Sequence, residues 1–193
     1  MVAVESTMLA IGTPAPDFSL PDASGALHSL DSIATRADAL VVAFICNHCP
    51  YVKLIADKFA EIGNDLVARG VAVVAINSND YQAHPDDSPD AMAAEAELRG
   101  YAFPYLVDGS QAVALAYRAA CTPDFFVFDS QRQLAYRGRF DSARPGNGEA
   151  VTGADLLTAV EEIAGRGTVP AQQHPSMGCN IKWKPGAAPS WFA

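Results

Sequence analysis

The sequence predicts an α/β fold in which a mixed central sheet carries helices on both faces. Short apolar segments alternate with segments of helical periodicity from about residue 39 to residue 120. This order is typical of parallel strands joined by right-handed crossovers. Two later apolar segments, 125–128 and 134–140, flank the turn 129–132. They predict a hairpin that adds antiparallel strands to the same sheet.

The composition restricts the classes of partner. Half of the 193 residues are hydrophobic and 18% are charged, which is typical of one soluble globular domain. The formal net charge is −9, and an acidic surface repels phosphate backbones and anionic lipids. We therefore expect neither nucleic acid nor a membrane as partner. Because we find no secretory pattern and no apolar segment of spanning length, we expect a cytoplasmic location.

The N-terminal third predicts a small β extension and then the first unit of the central sheet. Residues 13–32 are rich in turn formers and predict two short strands joined by a turn. The continuous apolar segment 39–45 predicts a strand covered on both faces. Residues 50–69 carry apolar side chains at helical spacing, and Gly70 ends this predicted helix.

The rest of the chain continues the alternation and then changes character. The further predicted elements are strands at 71–76 and 103–107 and helices at 92–98, 112–120 and 156–164. We expect a redox domain at 1–167 and an irregular tail at 168–193. The tail is rich in Pro and Trp, and its apolar side chains predict that it docks on the domain or on a partner; they are Ile181, Trp183, Trp191 and Phe192.

Cys46 and Cys49 form a CxxC pair where a buried strand meets an amphipathic helix. A helix N-terminus carries unpaired N–H groups and positive partial charge, which favour a thiolate. The thiolate is the nucleophile in disulfide exchange. We expect Cys46 to cap the helix as the more exposed, attacking thiol of lowered pKa. Cys49 is then the more buried, resolving thiol.

Neighbouring residues leave several alternatives open. His48 either stabilises a thiolate or is a solvent-exposed spacer. Thr122-Pro123, just before a predicted strand, is either trans or cis. Cys121 beside it is either a third redox thiol or a small buried apolar side chain. Cys179 in the tail, near Lys182, is either redox-active, closing onto Cys121 or resolving Cys46, or structural.

The polar residues that follow the strand 71–76 predict turns and solvated surface. Asn77 and Asn79 either line a cleft or form a turn, and we favour the turn. The acidic side chains after them favour a solvated face, and Arg118 favours a surface position. That acidic set is Asp86, Asp87, Asp90, Glu95 and Glu97.

Three segments resemble a known family. Residues 12–20, Gly-Thr-Pro-Ala-Pro-Asp-Phe-Ser-Leu, with Gly25, resemble the N-terminal extension of the AhpC/TSA, or redoxin-like, branch of the thioredoxin superfamily. Residues 46–53 (Cys-Asn-His-Cys-Pro-Tyr-Val-Lys) and 178–186 (Gly-Cys-Asn-Ile-Lys-Trp-Lys-Pro-Gly) resemble a bacterial thioredoxin-like subfamily, usually labelled thiol–disulfide isomerase or thioredoxin.

The resemblance spans about residues 11–187 and implies a thioredoxin-like fold, a redox-active disulfide centre and antioxidant activity. It implies that Cys46 and Cys49 are the redox pair. It also places Thr122 and Pro123 at the cis-proline position, where the substrate backbone is oriented.

Two departures from the family patterns bear on activity. The peroxidatic pattern Pro-x-x-x-Thr-x-x-Cys is absent, since Ala39 and Ala43 stand at its Pro and Thr positions relative to Cys46. Efficient peroxide reduction is therefore not expected. The buried Asp of typical thioredoxins would fall near Leu40 and is missing, so water, Lys53 or another group must transfer the proton of the resolving thiol.

These observations predict a thiol–disulfide oxidoreductase. Its expected partners are protein disulfides or dithiols and small thiols, with no cofactor and no metal. One alternative is a thiol-dependent peroxidase. Another is a metal-binding protein such as a copper chaperone, with Cys46, Cys49 and either Cys121 or Cys179 as soft ligands.

Overall fold

A computed structural model describes residues 3–191. In chain order the elements are β1 (Ala3–Glu5), β2 (Ser19–Pro21), β3 (Leu27–Ser29), α1 (Leu30–Ile33), β4 (Ala39–Phe44), α2 (Pro50–Ala68), β5 (Ala72–Asn77), a 3₁₀ turn (Pro85–Asp87), α3 (Pro89–Arg99), β6 (Tyr105–Val107), α4 (Ala112–Tyr117), β7 (Cys121–Thr122), β8 (Asp124–Asp129), β9 (Leu134–Gly138), α5 (Ala154–Val160) with a π-helical continuation (Glu161–Arg166), and β10 (Met177–Asn180).

The central sheet is mixed, as predicted. Its five strands lie in the order β6-β5-β4-β8-β9. β4 is parallel to β5 and antiparallel to β8, so that Val42 pairs with both Val74 and Phe126. The parallel half arises from the helical crossovers and the antiparallel half from the β8–β9 hairpin.

Helices cover both faces of this sheet. Side chains of β4 alternate between two cores, with Val41 in one and Val42 in the other. The first core is filled by α2 and α5 around Phe59, and the second by α4 and the N-terminal extension. The end of β4, two residues before Cys46, is therefore held from both sides, which fixes the backbone that presents the thiols.

Several boundaries differ from the prediction for local reasons. The predicted helix 112–120 ends at Tyr117, because Arg118 adopts a left-handed conformation with φ +53°. The predicted strand 103–107 begins only at Tyr105. Ser88 caps α3, accepting a hydrogen bond from the amide of Ala91.

The C-terminal segment contains a strand that the sequence did not predict. β10 lies between β1 and β7 and is antiparallel to both. Ile181 of this segment is 1% exposed and belongs to the second core, and the Trp183 and Trp191 rings lie 6.2 Å apart. Phe192 lies outside the described residues, and the division of the chain at residue 167 stays a prediction.

Candidate active site

Cys46 and Cys49 lie between β4 and α2, but not in the predicted arrangement. Cys49, not Cys46, is the N-cap of α2. A residue that precedes proline avoids the helical conformation, so Cys49 is extended (φ −69°, ψ 125°) and the helix begins at Pro50. The expected greater exposure of Cys46 is also wrong, since Cys46 is 1% and Cys49 0% exposed.

Thr122 holds both sulfurs. Cys46 Sγ lies 3.2 Å from Thr122 Oγ1, and the Cys49 thiol donates to the Thr122 carbonyl oxygen at 3.2 Å. The Thr122–Pro123 peptide bond is cis. The two sulfurs and the residue before Pro123 thus form one contact group, although 73 residues separate Cys49 from Thr122.

The two thiols titrate as a linked pair, because they share a hydrogen bond. The bond from Cys46 lowers the pKa of Cys49 to about 5; burial opposes this effect, and Cys179 and the Val52 amide reinforce it. The same shared bond, burial and the charge of Asp87 raise the pKa of Cys46. The Val52 amide in the first turn of α2 acts on Cys49, whereas the sequence predicted that the helix N-terminus would act on Cys46. The pair loses its first proton readily and its second with difficulty.

β10 brings Cys179 onto this pair. Cys179 pairs with Thr122 in the antiparallel register and is 3% exposed. Its thiol and its backbone amide both hydrogen bond to Cys49 Sγ. A Cβ on the preceding residue, Gly178, would lie 2.0 Å from the Thr122 carbonyl oxygen, so only glycine permits this close approach.

Asp87 is part of the site, and the prediction that it lies on a solvated face is wrong. It is 1% exposed, and its carboxylate accepts hydrogen bonds from the Asn47 amide at 2.8 Å and from Asn79 Nδ2 at 2.8 Å. Burial raises its pKa, but these bonds and one from His48 outweigh burial and lower the pKa overall. The short turn that starts at Pro85 directs this one acidic side chain inward, which composition alone does not reveal.

His48 is fixed by this carboxylate and is not a free spacer. Its Nδ1 lies 2.6 Å from Asp87 Oδ2, and its side chain is 14% exposed. The hydrogen bond to Asp87 raises the pKa of His48, against an opposing effect of burial. The His84 ring stacks on it with centroids 5.3 Å apart. His84 had no predicted role.

The polar end of β5 forms a wall of the site, so the cleft alternative applies to Asn77 and Asn79. Asn79 Oδ1 accepts from the Lys182 amide at 2.8 Å, which ties the C-terminal segment to this wall. Asn77 donates to the Tyr105 hydroxyl, which in turn donates to Asn47 Oδ1 at 3.0 Å. The sequence contained no signal for Tyr105, since it reads as an ordinary strand residue.

Other candidate residues lie apart from the sulfur contacts. Cys121 is fully buried and its pKa is raised, mainly by burial, while its thiol approaches the Pro123 carbonyl oxygen at 3.6 Å. Lys53 is exposed on α2, and in the described part of the chain no hydrogen bond joins its side chain to a cysteine. Arg118 is exposed as favoured, with its guanidinium 5.7 Å from the Trp191 ring centroid.

A second buried carboxyl was missed in the sequence. Asp124 begins β8, is 0% exposed, and pairs with Phe44 of β4. Neither of its oxygens accepts a hydrogen bond of ordinary geometry from the described residues. Burial raises its pKa to about 8, although Ser176 and the Ala120 and Phe125 amides oppose this effect.

One group of side chains has the spacing of a metal site. Cys46 Sγ, a ring nitrogen of His48 and a carboxylate oxygen of Asp87 lie within 4.8 Å of one another. The Asp87 oxygens already accept hydrogen bonds from Asn47, His48 and Asn79. A metal ion would have to displace some of these donors. This donor set differs from the all-cysteine set that the sequence suggested.

The comparisons with known proteins agree with this architecture. The family model described as AhpC/TSA matches residues 11–137. The chain belongs to the AhpC/TSA family. Its fold and this match place it in the redoxin branch of the thioredoxin superfamily, which confirms the predicted fold class. Whether it also belongs to the subfamily suggested by the motif of residues 46–53 stays a prediction.

Two solved structures resemble this AhpC/TSA chain over nearly its whole length. A hypothetical protein from Sinorhizobium meliloti 1021 is 52% identical, with a TM-score of 0.92 over 94% of this chain and 99% of that one. An uncharacterized conserved protein from Geobacillus kaustophilus is 48% identical, with a TM-score of 0.92 over 97% of this chain and 99% of that one.

A more distant structure shares the fold alone. It is the thioredoxin domain of a thiol-disulfide oxidoreductase from Bacteroides vulgatus, 16% identical, with a TM-score of 0.61 over 81% of this chain and 99% of that one. No curated protein matches the chain. Among residues 3–191, no helix has the length and apolar character needed to cross a bilayer.

Proposed function

We propose that this AhpC/TSA protein is a thiol–disulfide oxidoreductase that exchanges disulfides with protein or small-thiol partners through Cys46 and Cys49. The observation that carries the proposal is the contact of both sulfurs with Thr122, at 3.2 Å each. Disulfide exchange needs a thiolate, a second thiol within reach and a place for the partner. Each of the three has a counterpart at this site.

The contacts with Thr122 favour Cys46 as the attacking sulfur, whereas the lowered pKa of Cys49 favours the thiolate on Cys49. Attack by Cys46 therefore requires transfer of the shared proton from Cys46 to Cys49. When the shared proton lies on Cys49, the Cys49 thiol donates to the Thr122 carbonyl and the Thr122 hydroxyl donates to a Cys46 thiolate. This distribution satisfies both contacts at once. Cys49 is also hydrogen-bonded to Cys179, so a partner that approaches Cys46 displaces fewer contacts than one that approaches Cys49.

The exchange then follows in two balanced steps. The Cys46 thiolate attacks a partner disulfide, forms a mixed disulfide, and one partner sulfur leaves as a thiolate. Cys49 then attacks Cys46, which closes the Cys46–Cys49 disulfide and releases the second partner sulfur. The released thiolate takes up the Cys49 proton, so the partner is reduced by two electrons and the pair is oxidised.

The surroundings supply charge and space for these steps. A cationic His48 would stabilise the thiolate, and Asp87 holds its ring in place. Beside the pair lies a cleft whose lining includes Tyr51, Ile55 and Pro123. A partner would contact the protein in this cleft, since the backbone of Thr122 already pairs with β10. The cytoplasmic location and antioxidant activity stay predictions.

A redox titration tests the proposal. Wild type, Cys46→Ser and Cys49→Ser are equilibrated in dithiothreitol or glutathione buffers with a metal chelator, and the thiols are counted after quenching. We expect one two-electron transition in wild type and a Cys46–Cys49 disulfide, identified by peptide mapping, that both variants lack. Cys121→Ser, which alters a buried thiol without a contact to Cys46, serves as control and retains it. Absence of a Cys46–Cys49 disulfide at every potential would refute the proposal.

A metal-binding function is a second candidate, because Cys46 Sγ, a ring nitrogen of His48 and a carboxylate oxygen of Asp87 lie within 4.8 Å of one another. Thiolate and imidazole are ligands that suit Zn and copper. The discriminating measurement is the metal content of reduced protein purified without chelator. Stoichiometric metal that is lost in Cys46→Ser, together with no disulfide transition, would favour this function. Peroxide consumption above that of Cys46→Ser would instead favour a peroxidase.

A further inference from the structure

β10 occupies the position in which an extended peptide would pair with the residues before Pro123. Its register is antiparallel, with Cys179 opposite Thr122 and Asn180 opposite Cys121. Added strands of this kind are a common mode of peptide recognition. The fit is close, since a Cβ at Gly178 would lie 2.0 Å from the Thr122 carbonyl oxygen and 2.6 Å from its carbon. The chain thus supplies its own strand at this site.

This strand carries a cysteine at the point nearest the redox pair. Cys179 contacts Cys49 Sγ through its thiol and through its backbone amide. Several contacts hold it there. β10 pairs with β1 on its other edge, and the amides of Ile181 and Lys182 donate hydrogen bonds to the Ala120 carbonyl and to Asn79 Oδ1. Cys121, on the neighbouring strand, directs its thiol instead to the Pro123 carbonyl oxygen.

We propose that Cys179 is a third catalytic thiol, which accepts the disulfide from Cys46–Cys49 to form Cys49–Cys179. This inference rests on the proposed function, because it requires that Cys46 and Cys49 first become oxidised. It deepens that function by giving the oxidised protein two disulfide states, one of which restores Cys46 as a thiol.

The step is an internal exchange and balances without an external reagent. The Cys179 thiolate attacks Cys49 Sγ, the Cys49–Cys179 bond forms, and the Cys46–Cys49 bond breaks. Cys46 leaves as a thiolate and takes up the proton that Cys179 released. No electrons enter or leave the protein. The thiol and the amide of Cys179 hydrogen bond to Cys49 Sγ, so Cys179 is the thiol placed to form this bond, whose ordinary length is about 2.05 Å.

Oxidation of the pair also prepares Cys179 for attack. In the reduced protein the pKa of Cys179 is raised to about 12 by burial, by the hydrogen bond to Cys49 and by the charge of Cys49, whereas Lys182 lowers it. Once Cys49 is part of a disulfide, its charge and its hydrogen bond are gone. The pKa of Cys179 is then lower than in the reduced protein, although burial still raises it, so Cys179 is a better nucleophile once its target exists.

Two double variants that each keep two cysteines test the inference. Cys46→Ala/Cys121→Ala retains Cys49 and Cys179, and the matched control Cys46→Ala/Cys179→Ala retains Cys49 and Cys121. Both are equilibrated in glutathione buffers, acid-quenched, alkylated and mapped by mass spectrometry, with circular dichroism to verify folding. We expect a Cys49–Cys179 disulfide in the first variant and no intramolecular disulfide in the control.

Wild type analysed in parallel separates the two proposals and needs no substitution. Detection of Cys49–Cys179 linked peptides at intermediate potentials, together with Cys46–Cys49 linked peptides, supports the transfer of the disulfide to Cys179. Suppose that wild type forms the Cys46–Cys49 disulfide, but that neither wild type nor the folded first variant forms a Cys49–Cys179 disulfide. This outcome overturns only the proposed transfer of the disulfide to Cys179. The absence of every disulfide in wild type overturns the proposed function as well.

Discussion

The two sides of the thiol cluster formed by Cys46, Cys49 and Cys179 differ in the hydrogen bonds that they provide to a buried carboxyl group. The polar side, defined by Asn47, His48, Asn79 and Asp87, gives its carboxylate three hydrogen-bond donors, and the Asp87 pKa is lowered despite complete burial of its side chain. The apolar side, defined by Cys121, Asp124, Gly178 and Cys179, gives its carboxyl no hydrogen bond of ordinary geometry from the described residues, and burial raises the Asp124 pKa to about 8.

This difference shows that donors, and not burial, decide the charge of a carboxyl in this protein. Its hydrogen bonds favour the charged form of Asp87, which holds His48 beside the thiols, whereas burial favours the protonated form of Asp124. The hydrogen bond to Asp87 favours the cationic form of His48 near the thiols, and the uncharged form of Asp124 suits the packed strands around it.

The largest expected effect is on the polar side. Asp87→Ala removes the common acceptor of Asn47, Asn79 and His48, and leaves these buried donors without a partner. We expect a loss of about 3 kcal/mol in the free energy of unfolding, measured by urea denaturation. Asp86→Ala, at an exposed neighbouring side chain, should change it little. Equal effects of the two would contradict the assigned role of Asp87.

The next effect tests how closely the apolar side is packed. Gly178→Ala places a methyl group against the Thr122 carbonyl, and we expect a destabilisation of about 2 kcal/mol by the same measurement. Gly165→Ala is the control, because a Cβ there meets no atom within 4 Å. If Gly178→Ala were as stable as wild type, β10 would not lie as close to Thr122 as described.

A pH series separates the two carboxyls. Folded Asp124 keeps a proton that the unfolded chain releases near pH 3.8, the ordinary pKa of an aspartate, so burial of this group costs stability as pH rises from 3.8 towards 8. Asp124→Asn removes this cost. We expect its stability relative to wild type to increase with pH by up to about 1.4 kcal/mol per unit in that range. A constant difference between the two proteins from pH 5 to 8 would show that Asp124 is not protonated in the fold.

The smallest effect concerns His48. Its raised pKa means that pairing with Asp87 stabilises the fold fully below pH 6.5, and that this contribution is lost as pH rises through the pKa of the folded state. Asp87→Asn should therefore lower the His48 pKa, as followed by NMR of the imidazole protons, while Asp86→Asn leaves it unchanged. An unaltered His48 pKa in Asp87→Asn would remove Asp87 as the group that sets the charge of His48.

Much of the fold was predictable because its signals are local. The apolar segment at β4, the helical periodicity of α2 and the β8–β9 hairpin follow from strand and helix periods within short windows. Short elements such as α1 and β7 were missed, because four or two residues carry no period.

The site was predictable only in part. The sequence by itself determined the CxxC pair at a strand–helix junction and a Thr-Pro step before a strand, since both are contiguous motifs. It also determined the start of α2, because Pro50 excludes Cys49 from the helix. The prediction that Cys46 caps this helix ignored that rule.

Only the tertiary structure decided which distant groups meet these sulfurs. Asp87 is 40 residues from Asn47, and Cys179 reaches Cys49 through a strand whose two partners are β1 and β7. Whether an acidic residue is solvated or buried, and whether a cysteine in a Pro-rich tail contacts another thiol, depends on which surfaces the folded chain brings together. No local pattern of residues contains that information, because burial and proximity belong to the packed molecule and not to the segment.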